Sequence, residues 1–175
     1  MLETIKIISR KLGVLRVLRW VACINPLRHR PTLEERRRNH PEWLAVQPYC
    51  VTGRGIDVGC GNWKSHPNCI GVDILPKGVK GQHGCVKGLE SQADVCASGD
   101  DLSMFKTGEL DFVVARHNLE HYVDVIKTLR EWKRVLRTGG TLVVIVPDER
   151  VRNTIELDPT HKHAFTALWS GRPPT

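Results

Sequence analysis

The stretch Gly55-Ile-Asp-Val-Gly-Cys-Gly61 decides how this chain reads. A short apolar run carries one acid and ends in two glycines spaced Gly-x-Gly. A second run of the same kind, Gly71-Val-Asp-Ile74, sets Asp73 twelve positions after Gly61. Glycines at the end of a strand let backbone N–H groups approach a ligand that a Cβ would hold off. A carboxylate at the end of the next strand can accept hydrogen bonds from both hydroxyls of a ribose. The pair points to a nucleoside-bearing cofactor.

Working outward, short apolar runs alternate with loops and helical patterns. Strands are predicted at 54–58, 69–74, 93–97, 110–115 and 141–146. The last holds an unbroken apolar run, Leu142 to Val146, which suggests burial on both faces. The clearest helix is 123–136, where Val125, Leu129, Trp132 and Leu136 recur on one face. Thr138-Gly139-Gly140 is expected to close it with a left-handed cap, and Arg134 and Arg137 suit the negative end of its dipole. Strands alternating with helices imply an α/β fold: a mostly parallel, Rossmann-like sheet with right-handed crossovers. Ligands of such sheets lie beyond the carboxyl ends of the strands.

The glycine pattern discriminates between nucleosides. A dinucleotide turn wants Gly-x-Gly-x-x-Gly, the third glycine allowing helix and strand to pack closely under a pyrophosphate. Here Asn62-Trp63-Lys64 follows Gly61, with no third glycine. Only residues 62–68 separate the turn from the next strand, too few for a full helix whose N-terminus would hold a pyrophosphate. A nucleoside without phosphates fits better, and S-adenosylmethionine is such a molecule.

The ordered segments GIDVGCG, GVDI, SGDDL, LDFVVARHNLEH and LREWKRVLRTGGTLVVIVP resemble the class I methyltransferases. The likeness is greatest to the branch that includes ubiquinone- and menaquinone-biosynthesis methyltransferases, and it covers roughly 54–147. The resemblance implies S-adenosylmethionine as cofactor. It implies that Asp57, Gly59 and Gly61 form the turn beneath the methionine part and that Asp73 holds the ribose. Ser98, Asp100 and Asp101 would lie near the adenine, with Asp94 as a rival. Arg116 and His117 would sit at the end of the fourth strand, facing the sulfonium and the acceptor.

Methyl transfer is an in-line displacement in which the protein aligns the nucleophile and excludes water. A base is required only where the nucleophile carries a proton. The candidates are His117, then His121, in His117-Asn-Leu-Glu-His121, and then His161 in Asp158-Pro-Thr-His-Lys-His163. His161 and His163 line the substrate pocket if this last segment folds back over the strand ends. Two histidines four apart also permit a metal, but Glu does not directly follow the first His as in zinc proteases, and no metal is expected. Glu120 reads as a helix-start or cap residue.

Composition bounds the rest. With 175 residues, 41% hydrophobic and 26% charged, the chain suits one ordinary globular core. Of its 26 Lys/Arg and 19 Asp/Glu, ten and three lie in residues 1–40, so the remainder balances at sixteen of each. Residues 1–45 are therefore expected to be a basic helical arm and linker punctuated by Pro26, Pro31 and Pro41, and 46–175 the catalytic-type domain. The basic charges of the arm are scattered around a helical wheel, which favours a helix packed on the body and leaves membrane-surface contact as the second reading. A nucleic-acid partner ranks below both. No apolar run is long enough to span a bilayer, and Arg16 and Arg19 interrupt anything like a signal peptide. Six cysteines without zinc-ligand spacing read as reduced thiols of a cytoplasmic protein, peripheral to the membrane if the arm makes that contact. The 25 residues after Arg150 leave room for a short helix at 164–169 but not for the two further strands usual in this class. A short C-terminus would expose the edge of the fifth strand and invite a homodimer. The expected acceptor is a small molecule, a sugar or a lipid-linked intermediate; the alternative is a non-catalytic relic that keeps the nucleoside pocket as an interaction module.

Overall fold

The computed structural model describes residues 32–82, 87–148, 158 and 160–165. It divides into two compact units, Met1–Ala45 and Val46–Thr175. In the first, helix α1 (Leu33–Arg38) opens with a capping box. Thr32 Oγ1 accepts from Glu35 N–H at 3.1 Å, and Glu35 Oε2 accepts from Thr32 N–H at 2.7 Å. Residues 1–31 of the expected basic arm lie outside the described residues. Helix α2 (Pro41–Cys50) starts on Pro41, which the sequence reading had assigned to a linker. A proline at the first helical position loses no hydrogen bond, so it begins a helix as readily as it ends one.

The second unit is built on strands β1 (Gly55–Val58), β2 (Cys69–Asp73), β3 (Val95–Cys96), β4 (Leu110–Arg116) and β5 (Leu136–Ile145), with helix α3 (Val125–Val135) between the last two. The order is β3-β2-β1-β4-β5 and every pairing is parallel. Gly55 pairs with Cys69 on one side and Phe112 on the other. The chain runs outward from β1 to β3, returns to β4 and runs outward again. The carboxyl ends of β1 and β4 therefore flank the switch point where such sheets bind ligands.

Alternation along the strands sorts the core into two layers. Ile56, Val58, Val113 and Ala115 face a cluster that includes Trp132 and Val135 of α3. Phe112 and Val114 face Val46 and Cys50 of α2, together with Cys69. Gly55 lies on this second layer, where any Cβ would run into the Phe112 ring. Cys50, Cys60, Cys69 and Cys96 are free thiols.

Two expectations need correction. Helix α3 ends at Val135, with Leu136 already extended, so Gly139 (φ +75°) is not its cap. Gly139 instead lies in the irregular entry to β5, whose regular pairing begins at Thr141 opposite Phe112. Arg134 and Arg137 likewise do more than face a dipole. Arg134 donates to the carbonyls of Leu102 and Phe105 and pairs with Glu131, and Arg137 pairs with Asp111. Strand β5 is not buried on both faces: among the described residues it pairs only with β4, and Leu142 is 38% exposed. The sequence missed the start signal of α3, Asp124, whose carboxylate accepts from Lys127 N–H at 2.8 Å.

Candidate functional site

The connection from β1 to β2 contains no helix. Gly59 (φ +69°) and Gly61 (φ +53°) turn the chain sharply. Gly59 and Cys60 N–H groups donate to Val72 O at 2.8 and 3.3 Å, folding the turn onto β2. Gly61 N–H then donates to Asp73 Oδ2 at 2.8 Å, and Leu75 N–H to Oδ1 at 2.9 Å. Two backbone donors thus aim the carboxylate, and each of its oxygens keeps a second lone pair for a ligand. Asp73 is half-buried at the tip of β2, where the sequence put it.

Asp57 is 1% exposed, one strand residue before the turn. Its Oδ2 accepts from Ser65 N–H at 2.5 Å. Burial pushes its carboxyl above the usual range, against the pull of the Arg116 charge and the Ser65 hydrogen bonds. Arg116, expected to face the acceptor, is engaged elsewhere. Its Nε donates to Ser65 Oγ at 2.7 Å, its Nη2 to Trp63 O at 2.9 Å, and its guanidinium lies 4.9 Å from the Trp63 ring centre. The 62–66 loop is thereby clamped to the end of β4, doing the work of the missing helix.

Beyond β3, Ser98 Oγ donates to Asp100, and Asp100 lies 3.6 Å from Lys127 Nζ. Asp101 is exposed and caps its own turn, accepting from Ser103 N–H. Asp94, the rival, accepts from Gly71 N–H and Lys64 Nζ, both at 2.9 Å, and so braces β2. Ser98 and Asp100 remain at the strand end, and Asp94 and Asp101 are taken up by local structure.

Asn118 and Tyr122 were not singled out in the sequence, yet they span the switch point. A Cβ on Gly59 would collide with the Asn118 amide. Tyr122 Oη donates to Asn118 Oδ1 at 2.7 Å, and a Cβ on Gly99 would meet that hydroxyl. Burial raises the Tyr122 phenol above its ordinary value, so it stays a donor. Trp132 Nε1 donates to Gly99 O at 2.8 Å, fixing the same loop from below. A polar pair inside HNLEHY was the available signal; nothing in the spacing marks Ser65 or Trp63.

Of the candidate histidines, His121 and His161 come together. His117 is the one non-glycine residue at positive φ (+50°) among those described, and its backbone N–H donates to Ile145 O. The 158–165 segment does fold back: Lys162 and His163 N–H groups donate to Glu120 O at 2.7 and 3.2 Å, and Phe165 bridges Asp148. Phe165 therefore does not belong to the helix expected at 164–169, whose remainder lies outside the described residues. The His121 and His161 rings meet edge to face with centres 4.6 Å apart. Glu120, read as a helix-start or cap residue, stands in the 3₁₀ turn Leu119–His121 and is fully buried.

Residues 56–144 match the family model described as a methyltransferase domain. The chain belongs to this methyltransferase family. It is 35% identical over 101 residues to ajmaline N-methyltransferase of Rauvolfia serpentina, covering 51% of this chain and 34% of that enzyme. It superposes on a SAM-dependent methyltransferase from Archaeoglobus fulgidus with TM-score 0.52 at 21% identity, over 76% of this chain and 66% of that one. A Haloferax volcanii methyltransferase, solved in complex with the Trm112 methyltransferase activator, gives 0.54 at 21%, over 77% and 65%. The chain thus spans about a third of the plant relative's length.

Membership implies S-adenosylmethionine as the cofactor of this domain, and the residues fit it. The glycine turn leaves a side-chain-free cradle beside Asn118, and Asp73 keeps acceptor lone pairs free next to the turn. Asp73 and Asp100 at the strand tips would repel a phosphate and favour a cationic ligand. Among the described residues no helix is long and apolar enough to cross a membrane.

Proposed function

We propose that this chain transfers the methyl group of S-adenosylmethionine to a small-molecule, sugar or lipid-linked acceptor. The observation that carries the reading is the Asp73 carboxylate, aimed by Gly61 N–H beside the β1/β4 switch point. The likeness to ajmaline N-methyltransferase supports a small molecule as the acceptor. When bound, the cofactor supplies an electrophilic methyl on a cationic sulfur. Asp73 binds the ribose hydroxyls, Asp57 and Arg116 hold the loop that walls the methionine end, and Ser98 and Asp100 flank the adenine. His117, His121 and His161 form the acceptor side, where one of them takes the proton of an O–H or N–H nucleophile.

Calorimetry with S-adenosylmethionine or its demethylated product tests this directly. Asp73→Ala should weaken binding more than tenfold, because the ribose acceptors go and the glycine turn loses its anchor. Unchanged affinity would show that the ribose lies elsewhere. Binding without turnover on any acceptor class would support the non-catalytic interaction module instead.

The same reading keeps two partner proposals. The excess charge of residues 1–40 suits an anionic membrane surface, and failure to co-sediment with acidic vesicles would remove it. The half-exposed β5 suits a homodimer, which a concentration-independent monomer mass in sedimentation would exclude.

A further inference from the structure

We propose that Glu120, His121 and His161 hold a divalent transition-metal ion. One ligand atom from each lies within 4.8 Å of those of the other two. The central observation is Glu120. It is fully buried, and neither Oε1 nor Oε2 has a hydrogen-bond partner. Nδ1 of His161, whose side chain is 10% exposed, is also buried without a partner. A buried carboxylate without compensation is among the most unfavourable groups a fold can hold.

The two imidazoles beside it do not provide that compensation. His117 Nδ1 and His161 Nε2 each stand 3.9 Å from Glu120 Oε1, too far for a hydrogen bond. That separation suits atoms that share an ion. Ligand atoms about 2.1 Å from a tetrahedral zinc are about 3.4 Å apart. The Glu120–His161 gap exceeds this by about half an ångström, and with ligand atoms up to 4.8 Å apart the cluster closes on an ion only by side-chain rotation.

The surroundings of His121 also suit a ligand. Thr160 Oγ1 donates its single hydrogen to Asp158 Oδ1 at 2.6 Å and lies 3.0 Å from His121 Nδ1. His121 Nδ1 must then carry the proton and donate to Thr160, which leaves Nε2 bare as the ligating atom. Metal-bound histidines characteristically donate their other N–H in this way. Asp158 completes the relay by accepting from both the hydroxyl and the backbone N–H of Thr160, at 2.6 and 3.0 Å. The 158–165 segment that brings His161 and Thr160 is anchored on Glu120 O itself, so the backbone that closes the cluster is tied to its central ligand.

Two imidazoles and one carboxylate form a donor set for Zn²⁺, Fe²⁺ or Mn²⁺ that leaves coordination positions open. This reverses the expectation, drawn from spacing alone, that no metal is bound. The role of the ion rests on the methyl-transfer reading, although its binding does not: an open position there would take the heteroatom of the acceptor and lower its proton affinity.

Titration of the full chain with Co²⁺, followed by visible absorption, tests the site, with Zn²⁺ as competitor. The expected result is saturation at one equivalent, displaced by Zn²⁺. Glu120→Gln and His161→Gln should each weaken it more than tenfold, and Thr160→Val about tenfold or more through His121. Circular dichroism establishes that each variant is folded. Absence of saturable binding by the folded protein, or unchanged binding in both ligand variants, overturns the proposal. S-adenosylmethionine affinity measured on the same samples separates the two readings. Metal without cofactor binding refutes the methyl-transfer function, and cofactor without metal binding refutes only the ion site.

Discussion

Replacing Gly59 with alanine perturbs the site at one backbone position. Gly59 has φ +69°, a conformation that costs an L-residue about 1–2 kcal/mol. The new Cβ would also collide with the Asn118 amide. If Asn118 withdraws, its 2.7 Å hydrogen bond with Tyr122 is lost, a net cost of about 0.5–1.5 kcal/mol. Together the terms come to about 1.5–3.5 kcal/mol, equivalent to a Tm fall of about 3–14 °C for a chain of this size. If the turn relaxes by moving out of its ligand-bound shape, the same energy is charged to binding, and cofactor affinity drops by about 10- to 300-fold. Differential scanning calorimetry and isothermal titration read the two quantities. Two further variants identify the cause. Tyr122→Phe should lose only the hydrogen-bond share. Asn118→Ala placed in the Gly59→Ala background should cost less than the two single changes added, because the clash is already gone. Strict additivity, or an alanine variant as stable and as tight-binding as the parent, would refute both the contact and the cradle built on it.

Other outcomes follow from the same structure. His117→Gly removes the positive-φ cost at +50° and should hold or raise Tm while methyl transfer falls by about 10²-fold or more if the imidazole acts as base; an equal loss of both would make the residue structural. Glu131 accepts from Arg134 and from Leu102 N–H, and the Arg134 bonds in particular hold its carboxyl below the usual range. A depressed folded-state value contributes stability above the unfolded value of 4.5 that is lost as pH falls through it. Glu131→Gln should therefore lower Tm at neutral pH and flatten its decline below pH 4.5; an acid limb of unchanged steepness would show the pair to be incidental. Trp132→Phe should cost about 1–3 kcal/mol by leaving Gly99 O without its donor, and a denaturant midpoint equal to the parent's would contradict that bond.

Periodicity and turn chemistry, read along the chain, determined the sheet strands, the long helix and the glycine turn facing an acid. These are local: an alternation of two, a repeat of three to four, and a carboxylate twelve residues beyond a Gly-x-Gly are properties of neighbours. Asp73 and the glycines needed no tertiary information, because the parallel order of the strands dictates which ends converge. What the side chains at those ends do was decided only by packing. Arg116 looked poised for the acceptor, but Ser65 and Trp63, some fifty residues earlier, claim its guanidinium. Glu120 looked like a helix-start or cap residue, yet it is fully buried, with Lys162 and His163 N–H groups donating to its carbonyl and His161 3.9 Å from its carboxylate. Hydrogen-bond partners and desolvation depend on what the chain brings back from far away, and no spacing rule encodes that.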